Sequence, residues 1–184
     1  MWKSVQKRDR IIWKSGKTYE AGTDKTFSLD TLPQEYTAYG NGDHRINGLE
    51  TEQADGSDTA NLKYEFYEIS KGKYSLKGLP AMFAKEDEAE TLEIVLKDHA
   101  SGLRAHLLYG VFPQLDVITR AVRLENTGTA PVTVKKAMSM EMDYEYRELD
   151  AVHFYGKHNM ERQMERTHLG HGLWKTETFL RLRK

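Results

Sequence analysis

Through its middle the chain alternates apolar and polar side chains with a period of two. The segment Thr91–Asp98, TLEIVLKD, sets Leu92, Ile94 and Leu96 on one face and Thr91, Glu93, Val95 and Lys97 on the other, the pattern of a half-buried strand. Leu103–Phe112 puts Leu103, Ala105, Leu107 and Tyr109 on one side, and Asp116–Asn126 sets Val117, Thr119, Ala121 and Arg123 against Ile118, Val122 and Leu124. Asn47–Ser57 and Asn61–Ser70 flank Asp55-Gly56, a strong hairpin signal. Pro131–Tyr146 reads as one long, half-alternating strand. The loops Asp98–Gly102 and Asn126–Pro131 have hairpin length, each with a glycine for the positive-φ position of a tight turn. No segment sustains a helical period. The pattern predicts an all-β fold, an antiparallel meander within a β-sandwich of two sheets.

Length and charge narrow the class. At 184 residues the chain suits one domain with a genuine core. Its 27 basic and 28 acidic residues nearly cancel, so nucleic acid is not an expected partner. Cysteine is absent, which excludes disulfide staples and thiolate metal sites and fits a reducing compartment. No run is apolar enough for a signal peptide or a membrane span, and a soluble cytoplasmic protein is expected. Residues 1–25 are polar and without period, residues 26–172 carry the strand pattern, and residues 173–184, LWKTETFLRLRK, form a basic tail with no place in a sheet.

Side-chain chemistry points to no catalytic centre. His153, His158, His168 and His171 crowd one stretch, yet they lack the convergent spacing of a metal site and read as imidazoles on surface loops. Glu86, Asp87, Glu88 and Glu90 read as a solvated acidic turn. Glu141, Asp143, Glu145, Glu148 and Asp150 read as the exposed face of a strand whose apolar partners are Met138, Met140 and Met142. There is no nucleophile elbow, P-loop or dinucleotide fingerprint. No catalytic residue, metal or cofactor is expected in these residues.

The irregular stretch Thr26–Arg45, TFSLDTLPQEYTAYGNGDHR, is dense in aromatic and charged groups. Together with DVITRAVRLENTG, FYGKHNMERQMER, KGKYSLKGLPAMF and AETLEIVLKD, it resembles the N-terminal domain of the α-galactosidases of glycoside hydrolase family 36. The likeness is colinear from about Lys7 to Gly172. It implies a galactose-mutarotase-like β-supersandwich, incomplete here at both ends, and retaining hydrolysis of terminal α-galactosyl residues in melibiose- and raffinose-type oligosaccharides. The two catalytic aspartates would lie on a (β/α)₈ barrel absent from this sequence, so the chain is expected to be a fragment, inactive by itself. The low mean hydropathy of −0.70 fits a domain whose partner surfaces are missing.

The resemblance also supplies a candidate site. It places the loop Gly42-Asp43-His44-Arg45 near an active-site mouth, that of a neighbouring subunit in a homo-oligomer. Asp43 and Arg45 are then the candidates for binding sugar hydroxyls, with Tyr36 and Tyr39 as an aromatic wall. The alternative for Asp43 and Arg45 is an internal ion pair that pins the loop. His44 stands where the family usually has Phe, and INGLE, residues 46–50, where Glu-Pro-Ala often follows the Arg. A different reading of the whole chain is a stand-alone β-sandwich module for carbohydrate binding or assembly.

Overall fold

The computed structural model describes residues 34–41, 46–79, 81–142, 148–170, 172 and 174–176. These are all strand, turn and loop apart from a single 3₁₀ turn at Tyr39–Asn41, as the period-two pattern predicts. Eight strands follow in order: β1 (Leu49–Gln53), β2 (Leu62–Lys71), β3 (Glu90–Asp98), β4 (Leu103–Phe112), β5 (Val117–Asn126), β6 (Val132–Ala137), β7 (Leu149–Lys157) and β8 (Met160–Leu169). The described residues fall into two compact units that divide between Asp143 and Tyr144.

In the first unit the meander is as expected. A four-stranded antiparallel sheet runs β2-β3-β4-β5 in sequence order. Its register places Leu92 opposite Tyr109, Ile94 opposite Leu107 and Leu96 opposite Ala105, and then Leu107 opposite Val122 and Ala105 opposite Leu124. Cross-strand partners share a face, so these residues form one apolar surface. With Leu62 and Leu103 it packs against Leu49, Val132, Tyr36, Ala38 and Ala60, which belong to β1, β6 and the loops beside them. Burying this surface is the main stabilising term of the fold.

The two central strands depart from simple alternation. Thr91, Val95, His106 and Leu108 are buried as well, on the face read as polar. One reason is the segment after β2: the Thr91 hydroxyl donates to Gly72 O and accepts from Tyr74 N, both at 2.8 Å. Those bonds tie residues 72–74 to that face. Broken alternation in AHLLYG on β4 is the sequence trace of a strand covered on both sides.

Two expected hairpins are replaced by crossings between sheets. Asp55-Gly56 does form a turn, with Gly56 N donating to Gln53 O at 2.9 Å and Gly56 at φ 84°. The strands it joins do not pair with each other: β1 pairs with β6 and β2 with β3. Likewise Asn126–Pro131 carries the chain from β5 in one sheet to β6 in the other. Gly128 there has no positive φ; it is needed because a Cβ would sit 2.0 Å from Ser101 O. The Asp98–Gly102 connection is a true hairpin, with Gly102 at φ 79°. The long strand expected over Pro131–Tyr146 ends at Ala137.

The second unit is the β7-β8 hairpin. It pairs from Leu149–Leu169 to Lys157–Met160, with a slip between Tyr155 and Lys157. Asn159 holds φ 65° in its tip, a conformation Asn tolerates better than most residues. Val152, Phe154 and its cross-strand partner Met164 are all exposed.

Candidate functional site

Asp43 and Arg45, with Gly42 and His44, lie outside the described residues. The chain on either side of them is described, and it forms a hydrogen-bonded base. On the entering side, Gly40 N donates to Ala60 O at 3.1 Å. A Cβ at Gly40 would sit 2.4 Å from that same oxygen, so the approach requires glycine. On the leaving side, Leu49 N donates to Thr37 O at 3.0 Å, and Ala38 bridges Leu49 in parallel. Residues 37–38 and 48–49 thus lie side by side and bring the two ends of the loop together.

Glu141 locks this base from a third segment. The Thr37 backbone N–H donates to its Oε2 at 2.8 Å, and the Thr37 hydroxyl reaches Oε1 and Oε2 at 2.9 and 3.0 Å. That hydroxyl also accepts the Gly48 N–H at 3.0 Å. One carboxylate therefore holds Thr37 directly and Gly48 through it. Charge-assisted bonds of this kind are among the stronger ones in proteins. Gly48 makes room for it, since a Cβ there would lie 2.5 Å from Glu141 Oε2 and 3.0 Å from the Tyr36 ring. Met138 adds two further ties: its N–H donates to Gly48 O at 2.8 Å and its carbonyl accepts the Tyr36 hydroxyl at 2.9 Å.

This corrects the reading of residues 138–142. Met138, Met140 and Met142 are exposed, and Glu141 turns inward. The polarity is inverted because the strand ends at Ala137 and the chain beyond it serves hydrogen bonds rather than a pleat.

Of the two aromatics, Tyr36 is buried and Tyr39 is half exposed. Tyr36 is thus a core residue, not a wall. Burial, reinforced by the Glu141 charge, pushes its hydroxyl up to about 12, against the opposing pull of Arg120 and the Met138 bond. Beneath it, Arg120 of β5 stacks 4.2 Å from the Tyr109 ring centroid and pairs with Glu35 at 3.0 Å. The Tyr109 hydroxyl donates to the same Glu35. Arg120 Nε and Nη2, and both polar atoms of the fully buried Asn47 amide, have no hydrogen-bond partner among the described residues.

Other polar clusters lie elsewhere. On the opposite face of the meander, His106 sets Nδ1 against Glu93 and Nε2 3.0 Å from Glu125, with Arg123 bonded to Glu93. At the turn end, a cleft of about 680 Å³ is lined by Asp55, Asp98, His99 and Thr127 among others. Its carboxylates are spent on the turns: Asp98 accepts from Ala100 N and Ser101 Oγ, and Asp55 from Ser57 N. His153 lies on β7 and His168 on β8, strand positions where the group reads as imidazoles on surface loops. His168 Nδ1 is 3.0 Å from Asp150, and His153 packs against Trp174 with ring centroids 5.5 Å apart. His158 lies in the hairpin tip, and His171 falls outside the described residues. No three His, Asp or Glu side chains among the described residues are grouped to hold a metal. No described helix is long and apolar enough to cross a membrane.

Sequence reasoning missed Thr37, Gly48 and Glu141. Glycines at 40 and 48, on either side of the loop, were the available signal.

Comparison with known proteins identifies the lineage. Residues 5–180 match the glycosyl hydrolase family 36 N-terminal domain. The bifunctional α-galactosidase/sucrose kinase AgaSK of Mediterraneibacter gnavus is 52% identical over 158 residues, covering 86% of this chain and 17% of the relative. The α-galactosidase AgaA of Geobacillus stearothermophilus is 43% identical over 157 residues, covering 85% and 22%. The solved galactosidase domain of AgaSK superposes with a TM-score of 0.77, covering 86% of this chain and 22% of that one. A variant of AgaA solved in complex with raffinose gives 0.78 at 42% identity, covering 84% and 22%. The chain spans about a fifth of the length of these relatives. It belongs to glycosyl hydrolase family 36 and corresponds to the N-terminal domain of that family's α-galactosidases.

Proposed function

We propose that the chain serves, within a full-length protein, the hydrolysis of terminal α-galactosyl residues of melibiose- and raffinose-type oligosaccharides. Its own part is structural and recognitive. The sandwich carries the loop 42–45, where Asp43 accepts hydrogen bonds from sugar hydroxyls and Arg45 donates them, completing a site in a homo-oligomer. Catalysis falls to two aspartates of a barrel outside these residues. The absence of cysteine supports a cytoplasmic setting. The observation that carries this reading is the match to family 36 over residues 5–180, joined to the raffinose and stachyose complexes of variants of one relative, AgaA, that shares its fold.

The test uses full-length AgaA with the changes matching Asp43→Ala and Arg45→Ala. Each should lower kcat/KM for raffinose roughly ten- to a hundredfold and leave the thermal midpoint in place. If the two instead pair with each other, both changes lower the midpoint and the double variant costs little more than either single. That outcome with kcat/KM unchanged overturns the recognition role. The purified 184-residue chain should give only background with a chromogenic α-galactoside. Turnover lost on mutating one of its own residues would refute the division of labour.

A further inference from the structure

We propose that Glu141 is a positioning residue that clamps the two segments flanking residues 42–45, residues 37–38 and 48–49, through Thr37, so that the chain after β6 holds them side by side. The inference rests on the reading above in one respect, that the loop's side chains meet a sugar. Its geometric content stands apart from that reading. Glu141 lies outside the loop and about a hundred residues along the chain from it. Its carboxylate meets the Thr37 N–H and hydroxyl, and that hydroxyl takes the Gly48 N–H. Thr37 O takes the Leu49 N–H, while Met138, at the start of the same segment, holds Gly48 O and the Tyr36 hydroxyl.

The arrangement has the order of a relay. The Thr37 hydroxyl accepts from Gly48 N–H while it donates to the Glu141 carboxylate, which fixes the direction of its O–H and so of its lone pairs. Removing the carboxylate leaves the Thr37 N–H without its acceptor and frees the hydroxyl that orients the Gly48 bond to turn away from it. A carboxamide at the position keeps one acceptor oxygen but turns an NH₂ toward these donors. A serine at position 37 keeps the relay; a valine of the same shape ends it.

The test is amide hydrogen exchange on the 184-residue chain, read at Thr37, Gly48 and Leu49 and, as reference, at Val95 and Leu107 in the meander. In Glu141→Gln and Thr37→Val, exchange at the three loop-base amides should accelerate roughly ten- to a hundredfold, with the meander amides unchanged. Thr37→Ser should exchange as the parent does. Equal acceleration at both sets of amides would reduce Glu141 to general stability and overturn the proposal, as would unchanged exchange in Glu141→Gln. Should one variant fail to fold, the other, with Thr37→Ser, decides the matter. No sugar enters the measurement. If Asp43→Ala leaves galactoside turnover intact while this exchange pattern holds, the recognition reading falls and the relay stands.

Discussion

The meander β2–β5 and the hairpin β7-β8 are built from the same alternating strands with comparable pairing. They differ in what lies on their faces. Leu107 and Val95 of the meander are fully buried. The paired side chains Phe154 and Met164 of the hairpin are each 65% exposed. Backbone pairing satisfies donors and acceptors in both, but only apolar surface removed from water gives a large net gain. A two-stranded ribbon without a covered face is marginal by itself. Pairing defines a strand; burial decides what a side chain on it is worth.

The contrast can be broken most severely at a core side chain. Leu107→Ala should cost about 2–5 kcal/mol, read from urea unfolding of the chain, while Phe154→Ala should stay within about 0.5 kcal/mol. Similar losses at the two positions would mean the hairpin is as well covered as the meander. Glycines give the next effect. Gly128→Ala drives a Cβ into Ser101 O and should cost roughly 1–3 kcal/mol. Gly170 in the second unit has nothing within 4 Å of such an atom and no positive φ. Gly170→Ala should therefore be neutral or raise stability by roughly 0.4–1 kcal/mol.

Titration separates the units more gently. The Tyr36 hydroxyl ionises near 10 in an unfolded chain and near 12 in the fold. Its contribution is fully present below pH 10 and is lost as pH rises from 10 to 12. Tyr36→Phe should flatten the fall of the first unit's stability across that window; an unchanged slope would place the titration elsewhere. The smallest effect belongs to Asp150 in the hairpin. Bonds from His168 and Arg166 hold its carboxyl below the usual 3.8. A lowered carboxyl stabilises above its unfolded value and ceases to do so as pH falls through the folded one. Pairing of β7 with β8, followed by amide exchange, should weaken below about pH 4, and Asp150→Asn should remove that dependence.

Much of the first unit was legible because its alternation is local. Leu103–Phe112 and the neighbouring strands were found to within a residue or two, since each carries its own period. Partner choice was not legible. Asp55-Gly56 specifies a turn but not that the following strand joins another sheet, where β2 pairs with β3 from Leu62–Asp98 to Lys71–Glu90. The acidic run after β6 was misread for a related reason. Glu141 is one carboxylate in an ordinary-looking polar series, and what singles it out is Thr37, 104 residues away. Asp43 and Arg45 were reached through family likeness, since no period or spacing marks them.

The β1-β6 pairing has a consequence in time. Meander strands follow one another along the chain, the longest connection being residues 72–89, whereas Lys136 and Glu50 join across 86 residues. Closing that span costs chain entropy that no contact repays until the meander is in place. On this ground the second sheet, and with it the pairing of residues 37–38 with 48–49, is expected to form after the meander. Damage to β1 or β6 should leave the folding rate almost unaltered and show itself as faster unfolding.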